Sequence, residues 1–266
     1  MSTFLYGGHV RANGIRQHYL RYGGKGEPLL VIPGITSPAI TWGFVGERFG
    51  RTYDTYVLDV RGRGLSDTGP HLKYDLDTYA HDAVEFASAL KLGRYRLVGH
   101  SMGGRIAARM GRLEGDRLAR IALIDPPLSG PGRRQYVRSL SFYLDAIHAA
   151  REGRADVDAI RRTYPNWTEE QLRLRAEWLH TCDDTAIEMS LRGINEEDIH
   201  GDLPKIVAPV LLMVAGKGGV IDDADIAQVR KLLPSILVRK LEGASHMIPF
   251  DDFEGFFAAL DDFLAG

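Results

Sequence analysis

Tyr95-Arg96-Leu97-Val98-Gly99-His100-Ser101-Met102-Gly103-Gly104 is the stretch from which the fold can be read. An apolar strand, Tyr95 to Val98, runs into Gly99-His100-Ser101-Met102-Gly103, and helical spacing follows from Met102 to Leu113. A G-x-S-x-G between a strand and a helix is the context of a nucleophile elbow. Its glycines leave room for a sharp turn that lifts the serine above a sheet. The helix start sets unpaired backbone N–H groups and a positive dipole end beside it. Ser101 is therefore the candidate nucleophile.

On the N-terminal side, Asn13-Gly14 is a hairpin signal within Val10 to Tyr22. Leu29-Leu30-Val31-Ile32 is continuously apolar, as a strand covered on both faces must be, and ends at Pro33-Gly34. Tyr56 to Val60 reads as a strand, and Asp75 to Leu90 as an amphipathic helix. On the C-terminal side, Ile121 to Ile124 is a strand that ends at Asp125. The alternation then stops until Pro209 to Val214, which is followed by a helix near 225–233, a strand near 237–241 and a last helix near 252–264. The expected class is α/β, a mostly parallel sheet flanked by helices. Residues 1–128 and 204–266 are expected to form the core, and residues 129–203 an inserted helical cap.

Composition excludes several functions. At 266 residues the chain has one-domain length with room for an insertion, and 44% hydrophobic with 26% charged residues suits a folded protein. A net charge of −2 leaves no basic surplus for a nucleic-acid backbone. One cysteine, Cys182, permits no internal disulfide and argues against a thiolate metal site. Met1 to Gly8 lacks the basic and apolar regions of a signal peptide, and no apolar run approaches the ~20 residues that span a bilayer. A cytoplasmic location and no membrane partner are expected. Oligomeric state leaves no signature.

A serine hydroxyl needs a base. His246 sits in Gly243-Ala244-Ser245-His246-Met247-Ile248-Pro249, between the last strand and the last helix, at the same sheet edge as the elbow. Candidates for the acid that orients it are Asp125, after the strand 121–124 and before Pro126-Pro127, and Asp222 or Asp223, after the strand 210–214. A charged strand end wants a partner such as an imidazole N–H, which favours Asp125. Acids at a helix start need no catalytic explanation. The order Ser…Asp…His holds for either position. For the oxyanion, the backbone N–H groups of Ile35, in Pro33-Gly34-Ile35-Thr36, and of Met102 are the candidate donors. The loop Asp59-Val60-Arg61-Gly62-Arg63-Gly64 reads as scaffold, with Arg63 its one candidate for facing the site.

The order PGITSP (33–38), DVRGRGLS (59–66), GHSMGG (99–104) and GASHMIP (243–249) is similar to the α/β-hydrolase superfamily over essentially the whole chain. Stretches such as ANGIRQHYLRYGGKG (12–26), DPPLSGPGRR (125–134) and HMIPFDDFEGFFAA (246–259) resemble, within it, the deformylases acting on N-formylmaleamate in bacterial nicotinic-acid degradation. The resemblance implies a cofactor-free, metal-free enzyme that hydrolyses a small anionic N-formyl amide to formate and maleamate. It also implies a triad of Ser101, Asp125 and His246. A carboxylate-bearing substrate would meet basic or hydrogen-bonding groups, for which the cap offers Arg133, Arg134, Tyr136 and Trp178, with Arg175 and His180. Competing readings keep the triad for another ring-fission amide such as an acetamidomethylene-succinate, an ester or a carbon–carbon bond. Another leaves a non-catalytic ligand-binding protein on the same fold. Epoxide and haloalkane hydrolysis fit less well, because those relatives carry an aspartate nucleophile.

Overall fold

The computed structural model describes residues 1–266. Asn13 and Gly14, with φ of 48° and 76°, reverse the chain between β1 (Phe4–Ala12) and β2 (Ile15–Tyr22), which pair antiparallel. Positive φ at both positions is what a tight hairpin of this hand requires. The parallel strands are β3 (Pro28–Ile32), β4 (Asp54–Leu58), β5 (Tyr95–His100), β6 (Leu118–Ile124), β7 (Val210–Ala215) and β8 (Leu237–Leu241). Their order is β1-β2-β4-β3-β5-β6-β7-β8, with β2 joined antiparallel to β4.

The crossovers are helical. They are α1 (Gly43–Phe49), α2 (Leu76–Ala89), α3 (Met102–Glu114) and α8 (Asp223–Leu232), and the short α9 (Ile248–Asp251) and α10 (Phe253–Ala265) close the chain. Successive strand residues point to opposite faces. In β3, Leu30 and Ile32 join a core with Phe86 of α2, Ile106 of α3 and Val229 of α8. Leu29 and Val31 join the opposite core with Phe49 of α1 and Phe256 of α10. Each such side chain contributes about 1.5–3 kcal/mol by leaving water, so the apolar run in β3 is needed on both sides. Residue patterning predicts no helix over 43–49, where the structure has α1. Gly43, Gly46 and the following Gly50 weaken the local signal, and burial of Val45 and Phe49 supplies the stabilisation instead.

Between β6 and β7 the chain is helical, with α4 (Leu140–Arg151), α5 (Val157–Thr163), α6 (Glu169–Trp178) and α7 (Asp184–Glu196) and no strand. Ser139, Asp156, Thr168 and Asp183 each accept a backbone N–H at a helix start, which satisfies a donor the helix cannot. No helix is long and apolar enough to cross a membrane.

Candidate active site

The turn after β5 closes tightly on β3. A Cβ on Gly103 would lie 2.0 Å from the Ile32 carbonyl oxygen, and one on Gly99 2.2 Å from that of Gly103. Only glycine fits at either point. Ser101 between them takes φ 55° and ψ −118°, a conformation that costs an L-residue about 1–3 kcal/mol and persists only where packing dictates it. Its N–H donates to the Ile124 carbonyl at 2.9 Å, fixing the turn against β6.

His246, in the loop between β8 and α9, lies with Nε2 2.9 Å from Ser101 Oγ and Nδ1 2.6 Å from Asp125 Oδ2. Asp125 is fully buried, and its own N–H donates to Met213 in β7 at 2.8 Å. Its carboxylate also accepts the N–H groups of Ala215 and Val220, at 3.2 and 3.3 Å. A buried carboxylate needs such partners. The competing acids stand elsewhere. Asp222 is exposed, caps α8 by accepting the Asp225 N–H, and lies 3.4 Å from Arg134; those contacts, the cap first, hold its carboxyl below the usual range. Asp223 is exposed in the first turn of the same helix. Residue 219, in the loop after β7, is a glycine whose Cβ would lie 3.2 Å from Asp125 Oδ1.

His100, inside the elbow, is neutral. Burial, and after it the neighbouring His246, push its pKa down to about 3. Its Nε2–H donates to the His246 carbonyl at 2.8 Å, tying the histidine loop to the elbow.

Ile35 follows β3 and its N–H donates to no protein group. Met102 is the first residue of α3, where an N–H has no intrahelical acceptor. Arg63 does not face the cavity. It is buried behind this loop, where its guanidinium donates to the Ile35 carbonyl at 2.9 Å, Tyr79 Oη at 2.8 Å and Ser190 Oγ at 2.8 Å, and touches Met102 Sδ at 3.7 Å. Its candidacy as a site-facing group is thus corrected: the carbonyls and hydroxyls available beneath the loop hold the guanidinium there.

Ser101 and His246 form the floor of a cavity of about 320 Å³. The helical insertion supplies its far wall with Tyr136, Phe142, Tyr143, Tyr164 and Arg175, while Arg138 and Lys217 line it as exposed residues. Tyr136 and Tyr143 share a hydrogen bond at 3.0 Å, and burial raises both phenol pKa values, so they stay protonated. No group of three or more His, Cys, Asp or Glu is arranged to hold a metal ion.

Of the four binding candidates, only Tyr136 lines this cavity. Arg133 is drawn away to Asp198 at 3.5 Å. Arg134 reaches Asp225 at 2.5 Å and lines a neighbouring side cavity with Gly219 and Val220. Trp178 and His180 line neither cavity, and His180 is exposed on the Glu177 carbonyl at 2.7 Å. Arg175, set beside these candidates, does line the site. Arg138, Tyr143, Tyr164 and Lys217 were missed. Lys217 was accessible to the rule that loops after the strands share the elbow's edge, but the facing of helices in an insertion has no comparable local signal.

Residues 29–260 match the model of the alpha/beta hydrolase family. Over 264 residues the chain is 57% identical to N-formylmaleamate deformylase of Pseudomonas putida, covering 99% of this chain and 98% of that one. It is 26% identical over 246 residues to 2-(acetamidomethylene)succinate hydrolase of Mesorhizobium japonicum, covering 86% and 84% of the two. The crystal structure of N-formylmaleamic acid deformylase from another Pseudomonas putida strain superposes with a TM-score of 0.91 at 47% identity, over 96% of this chain and 100% of that one. A strand-ordered sheet with a serine on its elbow, matched over nearly its full length, places this chain in the alpha/beta hydrolase family.

Proposed function

We propose that the chain hydrolyses the N-formyl amide of N-formylmaleamate to formate and maleamate, with Ser101 as nucleophile, His246 as base and Asp125 as its orienting acid. The observation carrying the roles is the continuous contact from Ser101 Oγ through the His246 ring to Asp125, at 2.9 and 2.6 Å, on the floor of a cavity walled by the insertion. Full-length similarity to a deformylase supports the substrate.

His246 Nε2 takes the Ser101 proton as Oγ attacks the formyl carbon. The carbonyl oxygen becomes an oxyanion that the Ile35 and Met102 N–H groups receive. Collapse breaks the C–N bond, and the imidazolium returns its proton to the departing nitrogen. That nitrogen also carries an acyl group, so charge developing on it delocalises and maleamate leaves as a primary amide. Water, deprotonated by His246, then hydrolyses the formyl-serine and releases formate. Asp125 accepts from Nδ1–H throughout and stabilises the imidazolium. Residues 129–203 act as the cap that closes the acyl pocket, which a formyl group needs only to be small.

The test is release of formate and maleamate from synthetic N-formylmaleamate by the purified protein. Ser101→Ala should lower turnover by around a millionfold, as loss of a triad nucleophile does, with its melting temperature retained. Faster turnover of an acetamidomethylene-succinate would transfer the assignment to the acetyl-amide hydrolases. Substantial turnover by Ser101→Ala would remove the acyl-serine.

A further inference from the structure

Guanidinium groups in the insertion are almost all neutralised. Every arginine between residues 129 and 203 lies within 4.0 Å of a carboxylate except Arg138 and Arg175. Both exceptions line the cavity above Ser101. Lys217, the remaining cation of that cavity, has no carboxylate partner either. Within the insertion, guanidinium charge without a counter-charge is thus confined to the walls of the catalytic cavity.

The three cations are not equivalent. Arg138 and Lys217 are exposed, and Arg138 rests on the Phe142 ring at 4.5 Å. Arg175 is half-buried on α6, with its guanidinium 5.5 Å above the Tyr164 ring. It reaches Thr36, the residue after the Ile35 oxyanion donor, at 3.4 Å to the carbonyl and 3.5 Å to Oγ1. These contacts sit at the long limit for a hydrogen bond, so they orient the guanidinium without exhausting its five donors. A planar fork held by an aromatic face, half out of water and lacking an anion, matches a carboxylate in two-point geometry.

We propose that Arg175 is the specificity-determining residue that binds the substrate's carboxylate, with the acyl carbon between it and Ser101. The proposal rests on the reading of the protein as a hydrolase of an anionic amide. It assigns the preference for an acid over a neutral amide to one side chain. Arg175 takes no part in the proton transfers, so its loss should fall on binding rather than on turnover.

The experiment compares kcat and KM for N-formylmaleamate and for its neutral methyl ester in the wild type, Arg175→Ala, Arg175→Lys and Arg173→Ala. Arg173 is the control from the same helix, because it is paired with Glu177 at 2.7 Å. Arg175→Ala should lower kcat/KM for the acid roughly ten- to a hundredfold, chiefly through KM, the range for a lost hydrogen bond to a charged group. The ester should change by less than about threefold, and Arg175→Lys should lie between, keeping charge but losing the fork. Arg173→Ala should match the wild type. A parallel titration of the inactive Ser101→Ala protein with maleate should show binding that Ser101→Ala/Arg175→Ala loses. Equal losses on acid and ester, or no loss on the acid, would overturn the role of Arg175. A wild type that binds maleate through Arg175 yet releases no formate would overturn the deformylase reading and leave the anion site standing.

Discussion

At the carboxyl edge of the sheet, Asp59 and Asp125 are buried and each is held from several sides. Asp125 accepts two backbone N–H groups besides the His246 ring. Asp59 accepts Ala39 N–H at 2.6 Å and Leu65 N–H at 3.0 Å, and contacts His18 Nδ1 at 2.7 Å. In the insertion between β6 and β7, arginines instead meet carboxylates at the surface, as Arg173 meets Glu177 and Arg151 meets Asp184. Exposed pairs of that kind are worth about 0–1 kcal/mol, whereas a buried charge stripped of its partner costs about 3–5 kcal/mol. The charges of Asp59 and Asp125 are therefore fixed by burial, whereas the surface pairs of the insertion are exchangeable.

The steepest expected contrast is catalytic. Asp125→Asn should reduce turnover about ten-thousandfold, since the amide no longer holds the histidine tautomer. Asp222→Asn and Asp223→Asn should stay within about twofold of wild type in steady-state formate release. Abolished turnover in either of those variants, with Asp125→Asn active, would move the acid to the loop after β7.

A smaller effect concerns acid stability. His100 is neutral in the fold at a pKa of about 3 and takes a proton near 6.5 when unfolded. Between those values the unfolded state binds more protons. The contribution of His100 is therefore fully present above pH 6.5 and falls on acidification, by up to about 1.4 kcal/mol per pH unit. His100→Gln can keep a donor to the His246 carbonyl while removing the titration. Its denaturation midpoint should drop less than that of wild type between pH 7 and pH 5, with His246 and Asp125 unchanged in both proteins. Parallel pH profiles would show that the ring contributes nothing to the slope.

Smaller again, Asp222→Ala should cost about 1 kcal/mol through the lost cap of α8, read as a shifted urea midpoint with turnover retained. The smallest change belongs to Arg133→Ala, whose surface contact to Asp198 predicts a KM within about twofold of wild type. A large rise in KM there would blur the division between the two regions.

Legibility followed the same division. Asn13-Gly14, the two-faced apolar run 29–32 and the glycines around Ser101 are local constraints, and each produced the element expected of it. The contact of Asp125 with His246 follows from a carboxylate ending an apolar strand, which has few ways to be satisfied. Strand ends shifted by a residue or more, as at Asp54–Leu58, where polar Asp54 and Thr55 start the strand through ladder bonds that apolar patterning does not report. The insertion resisted. Arg133 and Arg175 are chemically alike, yet one turns to Asp198 and the other into the cavity. That difference is set by how α6 leans on the loop after β3, which no pattern inside α6 encodes.

The bonds made by Arg63 have a mechanical consequence. Together with Asp183 N–H to Gly62 at 2.9 Å and Tyr79 to Ser190 at 2.6 Å, they rivet α7 to the core. Swinging α7 outward would strand a buried guanidinium, so that half of the insertion behaves as a fixed jamb. No side chain of α4 or α5 bonds to the core, and a second cavity of about 370 Å³ lies between those helices and α6, sharing Phe142, Thr163, Tyr164 and Arg175 with the first. Movement of α4 and α5 would therefore break fewer hydrogen bonds to the core than movement of α7, and it would open the side of the cavity lined by Arg175.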